Sequence, residues 1–461
     1  NKLFTPVFMT QVDGIPVTFV MNLAYMSIEK PQKYSVGEAK EFLKKYEEPQ
    51  ETEESIDTIL EEEGKDASDD TSQSGADTGM PNIIVVMNES FSDLSVLGDF
   101  KTNEDYLPFL HSLQQGADHT VTGYLNVSVK GGNTANTEFE FLTGNSMNFL
   151  PSGSIPYQQY ILGPTDSLAT LLKGYGYETR AFHPGEQTSW QRNIAYPRLG
   201  FDSFKCGEDM DVPQTEEHGY VSDDSDFEQI IWEFEHKDES TPLFLFNVTI
   251  QNHGSYTVED YPAEVQLADE PGAYPKAEQY LTLANKTDEA FKKLIDYFSA
   301  QTEPTILVMF GDHQPSVEQE FLDKAYGVTQ DEMTMAQYMD KFKVPFIIWA
   351  NYPLTGDSTK ITSLNFLAQY VLRNAGIETS AYGKYLWNLQ KTIPAMTFAG
   401  YFDSEGNAYS HLDTTKFTPL IKDYERVQYN NLFGGDERQA ELFASPASTT
   451  SSDAVNAADG D

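Results

Sequence analysis

The chain has 461 residues, 39% of them apolar and 13% aromatic, which suits a folded globular protein with a large core. Its 72 acidic residues outnumber 30 basic ones for a formal charge of -42, which excludes the basic surface that nucleic acid requires. Anionic lipid is repelled on average too, but screening over about 8 Å leaves a local cationic pocket able to meet a headgroup.

A single cysteine, Cys206, forms no internal disulfide, so packing must hold the fold. No run of eighteen uncharged apolar residues occurs, and Pro6, Asp13 and Pro16 break the apolar opening stretch, so no spanning segment is expected here. The first residue is Asn1 rather than Met, which reads as a processed protein or a piece of a longer one, with any membrane anchor upstream.

Residues 1–46 read as an arm, extended to about residue 34. There Ser35 and Glu38 form a capping box ahead of a stripe of Ala39, Phe42, Leu43 and Tyr46. Residues 47–80 are rich in Glu, Asp, Ser, Thr and Gly and cannot bury enough apolar surface to offset ordering entropy, so a flexible acidic linker is expected.

An α/β domain over 81–378 opens with Asn82–Met87, an apolar run typical of a strand covered on both faces. Leu243–Ile250, Thr305–Phe310 and Val344–Ala350 repeat the pattern, and Tyr177–Phe182 is a weaker strand, interrupted by Glu178 and Arg180. Helical patterns alternate with them, at Ser167–Lys173 before Gly174 and at Lys276–Ala300, whose Ala290, Phe291, Leu294, Ile295 and Phe298 share a face. The alternation predicts a mostly parallel sheet sandwiched by helices. Residues 379–435 read as a small C-terminal α+β subdomain, with antiparallel hairpins over Met396–Phe402 and Ala408–His411 around a turn at Asp403–Asn407. Residues 436–461 read as a disordered tail.

Ligands bind at the carboxyl ends of the strands in such sheets. Three runs end in chemistry there: Asn88-Glu89-Ser90, Gln251-Asn252-His253 and Gly311-Asp312-His313. Taken singly, Glu89 is as readily a solvated loop residue, Asp312 a turn residue and His253 a loop histidine; together they make a donor set for manganese, magnesium or zinc.

In Gly131-Gly132-Asn133-Thr134, two glycines permit close backbone approach to a ligand and the following residues open a helix. Either Asn133 or Thr134 then merely caps that helix, or Thr134, beside a cation, serves as a nucleophile. After the weaker strand, Phe182-His183 is followed by Trp190 and Arg192, which suit a phosphoester, although Trp190 in a core and Arg192 in a surface ion pair is the plainer alternative.

In order, Asn88-Glu89-Ser90, Gly132-Asn133-Thr134 with Glu138-Phe139, Phe182-His183 with Trp190 and Arg192, Asn252-His253 and Gly311-Asp312-His313 resemble the lipoteichoic acid synthase family over about Pro81 to Asn351. That family is a sulfatase-like branch of the alkaline phosphatase superfamily. The resemblance implies that Glu89, Thr134, Asp312 and His313 hold one manganese ion, with magnesium or zinc as substitutes, and that Thr134 is the nucleophile. It implies that His183, Trp190, Arg192 and His253 grip glycerol phosphate, with Arg192 stabilising charge and His253 or His183 protonating the leaving group.

The implied reaction takes glycerol phosphate from phosphatidylglycerol through a covalent Thr134 intermediate to a polyglycerol phosphate chain or glycolipid primer, at the extracellular face of a bacterial membrane. Some relatives carry an acidic residue two places after the pocket histidine, where this chain has Gly185 and then Glu186. The competing readings are a phosphoethanolamine transferase, a sulfatase-like hydrolase and a non-catalytic teichoic-acid-binding module. A formylglycine sulfatase needs a Cys-x-Pro-Ser-Arg type context, which Lys205-Cys206-Gly207 does not supply.

Overall fold

The computed structural model describes residues 28–45, 79–354 and 359–447. The extended stretch of the arm through residue 27, Tyr46, nearly all of the acidic linker and the last fourteen residues lie outside them.

Strands in chain order are β1 (Asn82–Asn88), β2 (Thr120–Asn126), β3 (Glu178–His183), β4 (Ser203–Cys206), β5 (Glu216–Glu217), β6 (Tyr220–Val221), β7 (Leu243–Val248), β8 (Thr305–Gly311), β9 (Lys343–Ala350), β10 (Thr359–Ser363), β11 (Ala395–Met396), β12 (Tyr401–Phe402) and β13 (Ala408–Tyr409). Eight of them form one sheet in the order β10-β2-β9-β8-β1-β7-β3-β4. Only β9 opposes the rest, pairing antiparallel with both β2 and β8, while β1 lies parallel between β7 and β8. The carboxyl ends of β1, β2, β3, β7 and β8 therefore meet along one edge.

The apolar runs form strands because both faces of the sheet are covered. Ile83, Val85 and Met87 pack into one core with Phe139 and Phe141 of the Thr134–Thr143 helix. Ile84 and Val86 pack into another with Leu281, Phe291 and Phe298 of the Pro275–Ser299 helix. Ser167 caps the Leu168–Gly174 helix through its Oγ, with Thr170 completing a capping box.

Two expectations change. Met396–Phe402 is not one strand: the chain reverses between β11 and β12, where the Thr397 amide donates to the Gly400 carbonyl. The tail does not begin at 436, because Leu442 and Phe443 are buried against Tyr382, Tyr385 and Tyr424, giving residues 436–447 apolar anchors to pack with. Leu43 of the Val36–Lys44 helix joins the same cluster. No helix among the described residues is long and apolar enough to cross a membrane.

Candidate active site

Glu89 follows β1 and Asp312-His313 follow β8, so pairing of these neighbouring strands fixes the three side chains together. One ligand atom from each lies within 4.8 Å of the others, and all three residues are buried. The Ser90 amide donates to Asp312 Oδ1 at 2.6 Å and the Ser90 hydroxyl to Glu89 Oε1 at 2.9 Å. Nε2 of His313 lies 3.2 Å from Asp312 Oδ2 and 3.6 Å from Glu89 Oε1. Asp312 Oδ2 is buried and accepts no hydrogen bond among the described residues.

Burial, and then the Glu89 charge, hold the Asp312 carboxyl well above the usual carboxylate range. Concentrated negative charge with an orphaned buried oxygen is what a divalent cation relieves, and two carboxylates, an imidazole and a hydroxyl suit one. The donor set therefore fits a metal ion.

Thr134 starts its helix in that corner. The helix-capping alternative is not what the structure shows: Asn133 sits at the cap with φ 70 and no side-chain cap bond, and the Thr134 hydroxyl donates to Glu89 Oε2 at 3.3 Å. Gly131 takes φ 61, a left-handed conformation in which a side chain would be strained.

A cleft of about 680 Å³ opens over this corner, lined in part by Thr134, His183, Trp190, Arg192, His253 and Lys276. His183 Nδ1 donates to the Val248 carbonyl at 2.8 Å. Burial, reinforced by the Arg192 charge, pushes its pKa well below the ordinary value, so the ring is neutral and Nε2 is an acceptor. A Cβ on Gly185 would lie 2.4 Å from that Nε2. An acidic side chain at 185 therefore has no room in this arrangement.

Trp190 and Gln191 take left-handed backbone conformations, φ 57 and 63, that turn the chain beneath the cleft. Arg192 reaches the cleft, but its Nε and Nη2 both bond Glu138 Oε1, at 3.0 and 2.6 Å, and Tyr196 donates to Glu138 Oε2 at 2.7 Å. The surface ion pair considered for Arg192 is instead a buried one, and two nitrogens of the guanidinium fork are already engaged. His253 is exposed, with Nδ1 2.7 Å from the Gly254 carbonyl and 3.1 Å from the Tyr220 hydroxyl.

Ser90, Tyr220 and Lys276 also line the cleft and Glu138 holds Arg192, none of them expected from the sequence as a functional residue. Ser90 and Glu138 lie inside the quoted motifs, whereas Tyr220 and Lys276 follow no apolar strand and carry no local signal. Behind the edge, Asp223 Oδ2 accepts from Asn88 at 3.1 Å and Thr287 at 2.5 Å, and Asn252 donates to Asn88 at 3.2 Å. This buried net ties the residues preceding Glu89 and His253 to the Pro275–Ser299 helix.

Fold and site define a member of the Sulfatase family: residues 81–377 match it and the chain belongs to it. Its fold is similar to that of a Vibrio parahaemolyticus protein described as belonging to the alkaline phosphatase superfamily, at TM-score 0.55 and 16% identity, covering 79% of this chain and 89% of that one. A putative cyclic beta-1,2-glucan modification protein of Rhizobium meliloti is 33% identical over 80% of this chain and 57% of its own length. The chain spans about half the length of the curated relatives it matches.

Among solved structures, the Streptococcus pyogenes phosphoglycerol transferase GacH, bound to sn-glycerol-1-phosphate, aligns at TM-score 0.68 and 19% identity, covering 90% of this chain and 99% of that one. The lipoteichoic acid synthase LtaP of Listeria monocytogenes aligns at TM-score 0.55 and 19% identity, covering 79% and 93%.

Proposed function

We propose that this chain is the extracytoplasmic catalytic domain of a phosphoglycerol transferase, taking glycerol phosphate from phosphatidylglycerol and passing it to a glycan hydroxyl. The observation that carries the reading is the Thr134 hydroxyl, 3.3 Å from Glu89 at the floor of a cleft lined by His183, Trp190 and His253. The relatives' names support the two halves: GacH holds glycerol phosphate, and the Rhizobium protein is named for glucan modification. LtaP supports a second acceptor, a polyglycerol phosphate chain.

Glu89, Asp312, His313 and Thr134 would hold a divalent cation, manganese by the resemblance of the motifs. When bound, it favours loss of the Thr134 proton and offsets negative charge on the phosphoryl oxygens. Thr134 Oγ1 forms a bond to phosphorus as the bond from phosphorus to the diacylglycerol oxygen breaks, and Glu89 lies placed to receive the threonine proton.

Nε2 of His253 donates a proton to the departing oxygen; the role falls to this exposed ring because burial holds the His183 ring neutral, with no proton on Nε2 to give. His183 Nε2 then accepts a hydrogen bond from a glycerol hydroxyl, and Arg192 supplies fixed positive charge from the wall. In the second step the acceptor oxygen forms its bond to phosphorus as the bond to Thr134 Oγ1 breaks; the acceptor's proton passes to His253, and Glu89 returns its proton to the freed Thr134 oxygen.

The test incubates the chain with labelled phosphatidylglycerol and manganese, then adds a glucan oligosaccharide or a glycerol phosphate oligomer. Diacylglycerol release with label trapped on the Thr134 peptide is expected. Unlabelled Thr134 and no diacylglycerol would overturn the reading, and release from phosphatidylethanolamine instead would make it a phosphoethanolamine transferase.

A further inference from the structure

A second depression of about 790 Å³ adjoins the reaction cleft and shares Glu186, Tyr220 and Ile250 with it. Its floor is glycine: a Cβ on Gly207 would lie 2.3 Å from the Pro184 carbonyl oxygen, as one on Gly185 would strike His183. One wall is the β5–β6 hairpin, which brings Glu216 and Tyr220. The opposite wall brings Glu186, Gln187 and Thr188, and the end is closed by Gln214, whose Nε2 donates to the Gly207 carbonyl at 2.7 Å.

The lining contains Glu186, Glu208, Asp209 and Glu216, and no lysine, arginine or histidine among the described residues. The neighbouring Lys205 is bound to Asp211 at 2.7 Å and Glu233 at 2.8 Å.

We propose that this groove is the acceptor subsite and that it takes an uncharged oligosaccharide; the proposal rests on the transferase reading above. Three properties of the groove lead there. It opens into the cleft at Tyr220, whose hydroxyl touches His253, so a chain lying along it presents an end hydroxyl beside the group assigned to take its proton. Carboxylates, carboxamides and a threonine are the partners that bind sugar hydroxyls without demanding charge, and the tyrosine ring offers an apolar face to a pyranose.

Sign then decides between acceptors. A glycerol phosphate polymer carries one negative charge per unit, and four carboxylates with no basic residue place like charges along its path at less than a screening length. Repulsion of the wrong polymer is as much a source of specificity as attraction of the right one.

Calorimetric titration of the chain, with no donor present, uses a neutral β-1,2-linked glucose oligosaccharide and a glycerol phosphate oligomer of equal length as probes. The glucan is expected to bind and the phosphate oligomer to bind at least about tenfold more weakly. Glu208→Lys with Glu216→Lys, both at exposed positions, is expected to narrow or reverse that order, and Tyr220→Ala to weaken glucan binding about tenfold while Tyr220→Phe retains it.

Tighter binding of the phosphate oligomer to the unsubstituted chain, or glucan binding indifferent to all these changes, would overturn the subsite. Glucan binding without diacylglycerol release would instead sink the transferase reading and leave the groove as a glycan site. Release without glucan binding would sink the groove alone.

Discussion

Two buried carboxylates on the same sheet edge behave in opposite ways. Asp93, in the loop after β1, is 1% exposed and accepts from Tyr106 at 2.6 Å, Tyr124 at 2.6 Å and the Ser95 amide at 3.0 Å, with His111 Nε2 3.5 Å away. Those partners outweigh desolvation and hold its pKa far below the ordinary value. Asp312, after β8, is 0% exposed and faces another carboxylate, and its pKa moves the other way. Burial is common to both, so burial does not mark function. What separates them is whether the protein itself completes the charge: Asp93 is finished by donors, whereas Asp312 faces Glu89 with one oxygen left over, as the proposed cation site requires.

The sharpest break comes at the nucleophile. Thr134→Ala should lower diacylglycerol release by about a thousandfold or more, the scale on which loss of a covalent nucleophile falls. Retention of the wild-type melting temperature should accompany it, since the lost hydroxyl bonds groups of the site itself, Glu89 and Asp312. Substantial turnover in that variant would remove Thr134 from the mechanism.

Next in size is Asp93→Asn. The new amide nitrogen must face either Tyr106 and Ser95 or Tyr124 and His111, all donors, and roughly 3 kcal/mol of stability should go, read by denaturant titration. Asp312→Asn should do the reverse in the metal-free protein, costing little because burial and the Glu89 charge already favour an uncharged group at this position. Manganese at a hundred times its dissociation constant should stabilise the unsubstituted chain by about 2.7 kcal/mol, and this gain should vanish in Asp312→Asn. A thermal shift equal in both proteins would place the cation elsewhere.

Motif spacing made Asp312 legible in the sequence and left Asp93 unread. Asp312 directly follows an apolar run, and the carboxyl end of a buried strand is where ligands bind, so Glu89 and His253 were found on the same ground. Asp93 depends on Tyr106, Tyr124 and His111, whose convergence is set by packing. The central strands were legible because apolar runs covered on both faces leave a continuous signal. β2, reading Thr-Val-Thr-Gly-Tyr-Leu-Asn, is interrupted by polar residues, and β4 and β10 lie at the sheet's two ends, where one side has no partner strand.

The engagement of Arg192 was equally hidden, since Glu138 lies 54 positions away and only the fold turns it inward. Gly185, by contrast, was noticed as a departure, and its contact with His183 supplies the physical reason.

His111 provides the smallest and cleanest distinction. The hydrogen bond to Asp93 comes first among the causes that raise its pKa to about 9, and Asp105, 2.8 Å from Nδ1, adds to it. A histidine raised on folding contributes stability that is complete below the unfolded value near 6.5 and disappears as pH rises through about 9. Because the ring is only half-buried, solvent screening limits the contribution to roughly 1–2 kcal/mol.

Stability should therefore fall between pH 6.5 and 9, and His111→Gln should flatten that decline without altering the manganese-dependent shift. A pH slope unchanged by the substitution would mean that Asp93 is held by its tyrosines alone, and the completed carboxylate would owe nothing to a countercharge.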